Sequence, residues 1–202
     1  MPHKVLNGNI HEQPIVVVSG LPRSGTSMMM AMLEAGGMAV LVDRARAADL
    51  DNPNGYFEFA PVKKIAIDQA WLASAGGKAV KIVSPLLQRA PATYSYKIIF
   101  MHRALPEVLA SQQRMLRRRG EEALYDVAKM SELYKKHLLG IKEWLASQPH
   151  MEVLDVDYAD TLFNPMDTAL RVSALLHRSL NLEAMTDRVD SSLYRQRAQK
   201  GG

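Results

Sequence analysis

The sequence predicts an α/β fold, with a mostly parallel central sheet covered by helices on both faces, and three observations lead there. Residues Pro14–Gly20 are an unbroken β-branched run ending in glycine, the pattern of a strand buried on both faces. A Gly-rich turn follows at once and opens a helix over Thr26–Ala35. Beyond it, strand-like and helix-like segments alternate to the end of the chain, as they do in a sheet built from β-α-β units.

Each element has its own reason. Thr26–Ala35 (TSMMMAMLEA) is apolar on nearly every side, so it is a buried helix, and Gly36-Gly37 stops it. Its methionines are gap-filling core residues rather than a ligand site. Residues 38–60 carry turn chemistry at Asn52-Pro53-Asn54-Gly55 and are expected to be irregular. Pro61–Ala75 is expected as a helix with Pro61 in its first turn. Lys78–Val83 and Lys97–Met101 are the next strands. Leu105–Arg119 places Leu105, Val108, Leu109 and Leu116 on one helical face. Glu122–Gln148 is the longest predicted helix, with apolar residues at 127, 130, 134, 138, 141 and 145 opposite a lysine-rich face. Met151–Val156 alternates as a strand, and Pro165–Leu180 returns to helix. No repeat, low-complexity segment or linker interrupts the pattern, so residues 1–202 are expected to form a single domain.

Composition narrows the function classes. An apolar fraction of 48% and a charged fraction of 23% are those of a globular protein. With no cysteine, neither a disulfide framework nor a thiolate metal site is available. The six histidines, at positions 3, 11, 102, 137, 150 and 177, are scattered, and no metal is expected. No run reaches the 18 or so apolar residues of a membrane span, so a cytoplasmic protein without a membrane partner is expected. The net charge of +4 and pI near 9.3 suit a small anion as well as nucleic acid. The Arg114–Arg119 run has no interleaved aromatic residue, which argues against a nucleic-acid partner.

The chemistry is concentrated in Gly20-Leu-Pro-Arg23-Ser24-Gly25-Thr26-Ser27. A turn of this kind points backbone N–H groups inward, and the helix N-terminus adds a partial positive charge. Arg23 adds a planar cationic fork, and Ser24, Thr26 and Ser27 add hydroxyls. The spacing matches the phosphate loop G-x-x-x-x-G-K-[ST], except that Thr26 stands where lysine is required. A P-loop kinase would lack its usual β–γ point charge here.

The string Pro22-Arg23-Ser24-Gly25-Thr26-Ser27 resembles the 5′-phosphosulfate loop of sulfotransferases that use 3′-phosphoadenosine 5′-phosphosulfate (PAPS). It is closest to the form found in the tyrosylprotein and carbohydrate branches. A second string, Lys97-Ile-Ile-Phe-Met-His-Arg103 with Ser111 eight residues on, resembles that family's 3′-phosphate motif. Here Ala104-Leu105-Pro106-Glu107 replaces the usual N-P-x-D, a mild departure. Arg103 would sit at the carboxyl edge of the sheet, where open α/β folds bind ligands. Ser111 shares a helix face with Glu107, Arg114 and Arg118.

The resemblance implies a P-loop-like sulfotransferase architecture, with Arg23, Ser24, Gly25, Thr26, Ser27, Arg103, Ser111 and Tyr158 contacting PAPS. It also implies charge stabilisation of the moving sulfuryl group by Arg23 and Lys81, with Lys78 the competing lysine. The basic tail from Tyr194 stands where the family has a loop over the 3′-phosphate. For the general base the carry-over from the tyrosylprotein branch falls on Arg44. That leaves the adjacent Asp43 and, in a Gly/aromatic turn, Glu58, with His102 a weaker third choice because strand alternation turns it from Arg103. The acceptor is expected to be a small molecule, a sugar or a peptide. A P-loop kinase for a nucleoside or small molecule and a non-catalytic nucleotide-binding module are the competing readings.

Overall fold

The computed structural model describes residues 13–44, 55–121 and 125–190. Four strands form one sheet in the order β2-β1-β3-β4, and every neighbouring pair is parallel. They are β1 (Ile15–Gly20), β2 (Ala79–Lys81), β3 (Tyr96–His102) and β4 (Met151–Asp157). Gly20 stands level with Met101, and Met101 with Val156, so the strands end together at one carboxyl edge.

Alternation along the strands divides the core into two layers. Val16, Val18, Ile99 and Met101 face α1 (Thr26–Ala35), where Met29, Met30 and Leu33 are fully buried. The same layer takes in Val172 and Leu176 of α6 (Pro165–Leu176) and Met185 of α7 (Leu182–Thr186). Ile15, Val17, Val80, Ile82, Ile98 and Phe100 face the other way, against Leu87 of α2 (Ser84–Leu87). Ile141 and Leu145 of α4 (Val127–Ala146) complete that second layer. Two more helices follow strand ends, α3 (Leu105–Arg118) after β3 and α5 (Tyr158–Phe163) after β4. Helices on both faces of a parallel sheet are what the continuous apolar strands require.

Both edges of the sheet are blunted. β2 is three residues long, and its open side is taken up by residues 39–41: Ala79 N donates to Ala39 O and Leu41 N to Ala79 O, both at 2.8 Å. On β4, Glu152 and Asp155 are exposed. Glu152 pairs with Lys97 at 3.4 Å, and Arg171 donates to the Asp155 carbonyl at 2.8 Å.

Several expectations are corrected. Pro61–Ala75 is not one helix but two short 3₁₀ turns, Ala60–Lys64 and Ala70–Ser74. The buried residues explain this: Val62 and Ile65, then Leu72 and Ala75, are three apart while Ile67 between them is exposed. That spacing fits three residues per turn better than an α-helical face. The helix predicted to reach Leu180 ends at Leu176, because His177 adopts a left-handed conformation (φ 50°, ψ 42°). Asn181 then caps α7 by accepting from Ala184 N. The long helix begins at Val127 rather than Glu122, since the Asp126 carboxylate accepts from the N–H groups of Ala128 (2.8 Å) and Lys129 (3.2 Å). Glu122 and the turn Asn52–Asn54 lie outside the described residues, as does the tail from Tyr194.

This cap is testable. Asp126→Ala should lower stability by about 1 kcal/mol, the usual worth of an N-cap carboxylate, read as a lower urea midpoint with an unchanged slope.

Candidate functional site

Gly20 ends β1 at φ 142°, and the loop turns back so sharply that a Cβ there would lie 2.5 Å from Ser24 Oγ and 2.6 Å from the Met101 carbonyl. Only glycine permits that return. Arg23 is itself left-handed (φ 73°), and Gly25 (φ 101°, ψ 8°) stands at the N-cap of α1. Among the described residues no side chain caps this helix, so its first-turn amides face the turn of the loop. Ser24 Oγ is buried and has no hydrogen-bond partner among the described residues. Thr26 is also buried.

The loop is tied to the rest of the carboxyl edge through arginine. Arg23 Nε donates to Ser111 Oγ at 2.9 Å, a contact between residues 88 apart in the chain. Arg103 Nη1 donates to the Arg23 carbonyl at 3.2 Å, and Arg103 Nε pairs with Glu107 Oε2 at 3.0 Å. The Arg103 guanidinium also lies over the Tyr158 ring, 4.2 Å from its centroid. The Tyr158 ring in turn closes on Gly25, where an added Cβ would be 2.5 Å from Cδ2. Arg23, Gly25, Arg103, Ser111 and Tyr158, expected from separate parts of the sequence, therefore form one cluster. Two guanidinium groups share it with one buried carboxylate, Glu107, which suits an anionic ligand. Burial pushes the Tyr158 phenol above its ordinary pKa, with Arg103 opposing.

On the other side of the loop, Lys81 ends β2 with Nζ 3.4 Å from Ser27 Oγ, and it also donates to the Tyr56 carbonyl. Ser27 Oγ reaches that same carbonyl at 3.3 Å. The competing lysine, Lys78, precedes β2 and its carbonyl accepts from Val16 N. It is thus at the amino end of the strand, far from the loop, and is not a partner of it.

Asp43 and Glu58 are neighbours, since Asp43 N donates to the Glu58 carbonyl at 2.9 Å. Their side chains are already engaged: Asp43 accepts from Ala60 N–H, and Glu58 pairs with Lys63 at 3.4 Å. His102 Nε2 is 2.6 Å from Asp155 Oδ1 on β4. Arg44 pairs with Glu34.

Three contacts at this edge were not foreseen. Tyr134 of α4 and Gln112 of α3 exchange hydrogen bonds at 2.8 and 3.2 Å. Ser84 Oγ lies 2.9 Å from His137 Nε2. Glu107 holds Arg103, one turn of α3 before Ser111. The available signal was positional: Tyr134 and His137 lie on the apolar stripe of α4 yet carry polar atoms. Among the described residues no group of three or more His, Asp or Glu is placed to hold a metal ion, and no helix is long and apolar enough to cross a membrane.

With this geometry in view, solved structures supply the comparison. The chain is similar to the mouse sulfotransferase SULT7A1 complexed with PAP, with a TM-score of 0.57 at 15% identity over 95% of this chain and 70% of that one. The chain has a sulfotransferase fold. Sulfotransferase STF1 from Mycobacterium tuberculosis H37Rv is similar with a TM-score of 0.56 at 16% identity, over 86% of this chain and 71% of that one. The sulfotransferase domain of the Synechococcus PCC 7002 olefin synthase matches over 97% of this chain and 91% of its own length, with a TM-score of 0.55 and 14% identity. No family model matches the sequence, and no curated protein matches it.

The close approach at Gly25 gives a test of the site's construction. Gly25→Ala should cost about 1–3 kcal/mol from its left-handed backbone alone, and the collision with the ring adds to that. Combining it with Tyr158→Ala should relieve the collision part. Chemical denaturation of the two single variants and the double variant should therefore show a positive coupling.

Proposed function

We propose that this protein is a PAPS-dependent sulfotransferase, moving a sulfuryl group from PAPS to the hydroxyl of an acceptor. The observation that carries the reading is the joining of the two anion elements by Arg23: its side chain holds Ser111 and its carbonyl holds Arg103. A ligand with two separated phosphate groups fits such a pair. The sulfotransferase fold, which includes one neighbour described as complexed with PAP, supports the same ligand class.

In this reading the loop amides of Gly25, Thr26 and Ser27 and the Ser24 hydroxyl hold the 5′-phosphosulfate. Arg103 and Ser111 hold the 3′-phosphate, and Tyr158 packs against the nucleotide. The acceptor oxygen attacks sulfur, the bond from sulfur to the bridging oxygen breaks, and adenosine 3′,5′-bisphosphate leaves. Charge grows on the sulfuryl oxygens and on the departing phosphate. Arg23 and Lys81 flank the loop on opposite sides and stabilise that charge as preorganised donors. Asp43 and Glu58 stand on the chain segments beside Tyr56 and Lys81. With their oxygens engaged by Ala60 and Lys63, they wall the acceptor side. Thr26 in the lysine position of the phosphate loop sets this reading above a P-loop kinase.

Ligand discrimination tests the two-site reading. Adenosine 3′,5′-bisphosphate should bind at least about tenfold tighter than AMP, because only it uses Arg103 and Ser111 and each charge-assisted bond contributes about 1.5–3 kcal/mol. Equal affinities by calorimetry would refute the assignment of the second anion site.

The catalytic roles separate from binding. Arg23→Ala and Lys81→Ala should each lower kcat by on the order of 10²–10³ and raise the KM for PAPS much less, measured as label transfer from ³⁵S-PAPS. A rise in KM with kcat unchanged would make them binding residues only.

A further inference from the structure

We propose that His137 is the group that takes the proton from the acceptor hydroxyl, held for that task by Ser84; this rests on the sulfotransferase reading above. α4 leads into β4, and its second half covers the sheet with Ile141 and Leu145. Its first half therefore reaches the carboxyl edge, because the helix must run back against the strand direction. The inward stripe changes character at that point: Ile141 and Leu145 are apolar, whereas Tyr134 and His137 carry polar atoms into contacts with other elements.

These contacts close a ring around the space in front of the anion loop. Arg23 binds Ser111. The next residue, Gln112, binds Tyr134, and His137 lies three residues further along α4. His137 binds Ser84, which follows Lys81 by three residues, and Lys81 returns to Ser27 on α1. An acceptor approaching the sulfuryl group between Arg23 and Lys81 must pass this rim, and His137 is the only imidazole on it among the described residues.

Ser84 is fully buried and cannot itself receive substrate. In the proposed tautomer its oxygen accepts from Nε2–H, 2.9 Å away, which leaves the lone pair on Nδ1 for the acceptor. This is the usual way a fixed partner selects a histidine tautomer. Transfer then balances simply. Nδ1 takes the hydroxyl proton as the oxygen–sulfur bond forms, the bridging oxygen–sulfur bond breaks, and the imidazolium later gives its proton to water. Burial alone lowers the His137 pKa. The titratable and charged groups on the elements around it are Lys81 on β2, Glu107, Arg114, Arg117 and Arg118 on α3, and Lys129, Glu132, Tyr134, Lys135, Lys136, Lys142 and Glu143 on α4; Glu107 is held by Arg103 and Glu132 by Lys135. The base is neutral at pH 7, as proton removal requires.

The test uses the full chain. First, ¹⁵N NMR of the protein with adenosine 3′,5′-bisphosphate, with His137→Gln for assignment, should show Nε2 protonated and Nδ1 bare. Second, consumption of ³⁵S-PAPS is followed with water, simple alcohols and 2-naphthol as acceptors. His137→Gln should slow it by on the order of 10²–10⁴ while bisphosphate affinity stays within about twofold. The wild-type rate should fall below a pH limb lying under the usual histidine value of about 6.5, and the variant should lose that limb. Ser84→Ala should keep His137 but move the limb and cost less. A proton on Nδ1, or an unaltered rate and limb in His137→Gln, overturns the proposal. Wild-type protein that does not bind the bisphosphate overturns the sulfotransferase reading instead.

Discussion

The contact on which the site depends is the pair of bonds that Arg23 makes, one through its side chain to Ser111 and one through its carbonyl to Arg103. A glycine-rich loop costs little to bend and is therefore easily bent elsewhere. Here its middle residue sits at φ 73°, a conformation an arginine adopts only under compensation. The two bonds supply that compensation and set the distance between the loop and α3. The spacing of the loop from Arg103 and Ser111 follows from it.

Around that contact the carboxyl edge is assembled from polar links between elements that the apolar core has already aligned. The two core layers place α1 on one face and α4 on the other. Neither face alone could present groups to both sides of a ligand at the strand ends. The sheet carries Arg103, Tyr158 and Lys81 at or just beyond its last residues, and each reaches toward the loop from a different strand. Hydrogen bonds there contribute little net energy individually. Their value is geometric, since each fixes a side chain whose rotamers would otherwise spread over several ångströms.

Much of the fold was legible because strand burial leaves a simple mark. The runs at 15–18 and 98–101 have no polar residue and could only be strands covered on both faces. The short helices α2, α5 and α7 were not legible, since four to six residues hold no complete apolar period. The 61–75 segment misled because Pro61 and a scatter of apolar residues mimic a helix start, whereas the buried positions recur every third residue. At the site, Arg23, Arg103 and Ser111 were readable as motifs. The contacts of Glu107 and Tyr134 were not, because a motif spans one stretch of chain and these bonds join different ones. Lys81 could be separated from Lys78 only when the strand end was placed.

The blunted sheet edges bear on how the chain behaves before and after it folds. A parallel four-stranded sheet forms slowly, from contacts distant in sequence, and passes through states with open strand edges. One edge here is three residues long and occupied by residues 39–41, and the other carries Glu152 and Asp155 beside Lys97 and Arg171. Two molecules meeting edge to edge would find too few free backbone groups on one side and charged side chains that must be desolvated on the other. The molecule is guarded against strand exchange between copies, and replacing Glu152 and Asp155 with β-branched apolar residues would open a route to aggregation.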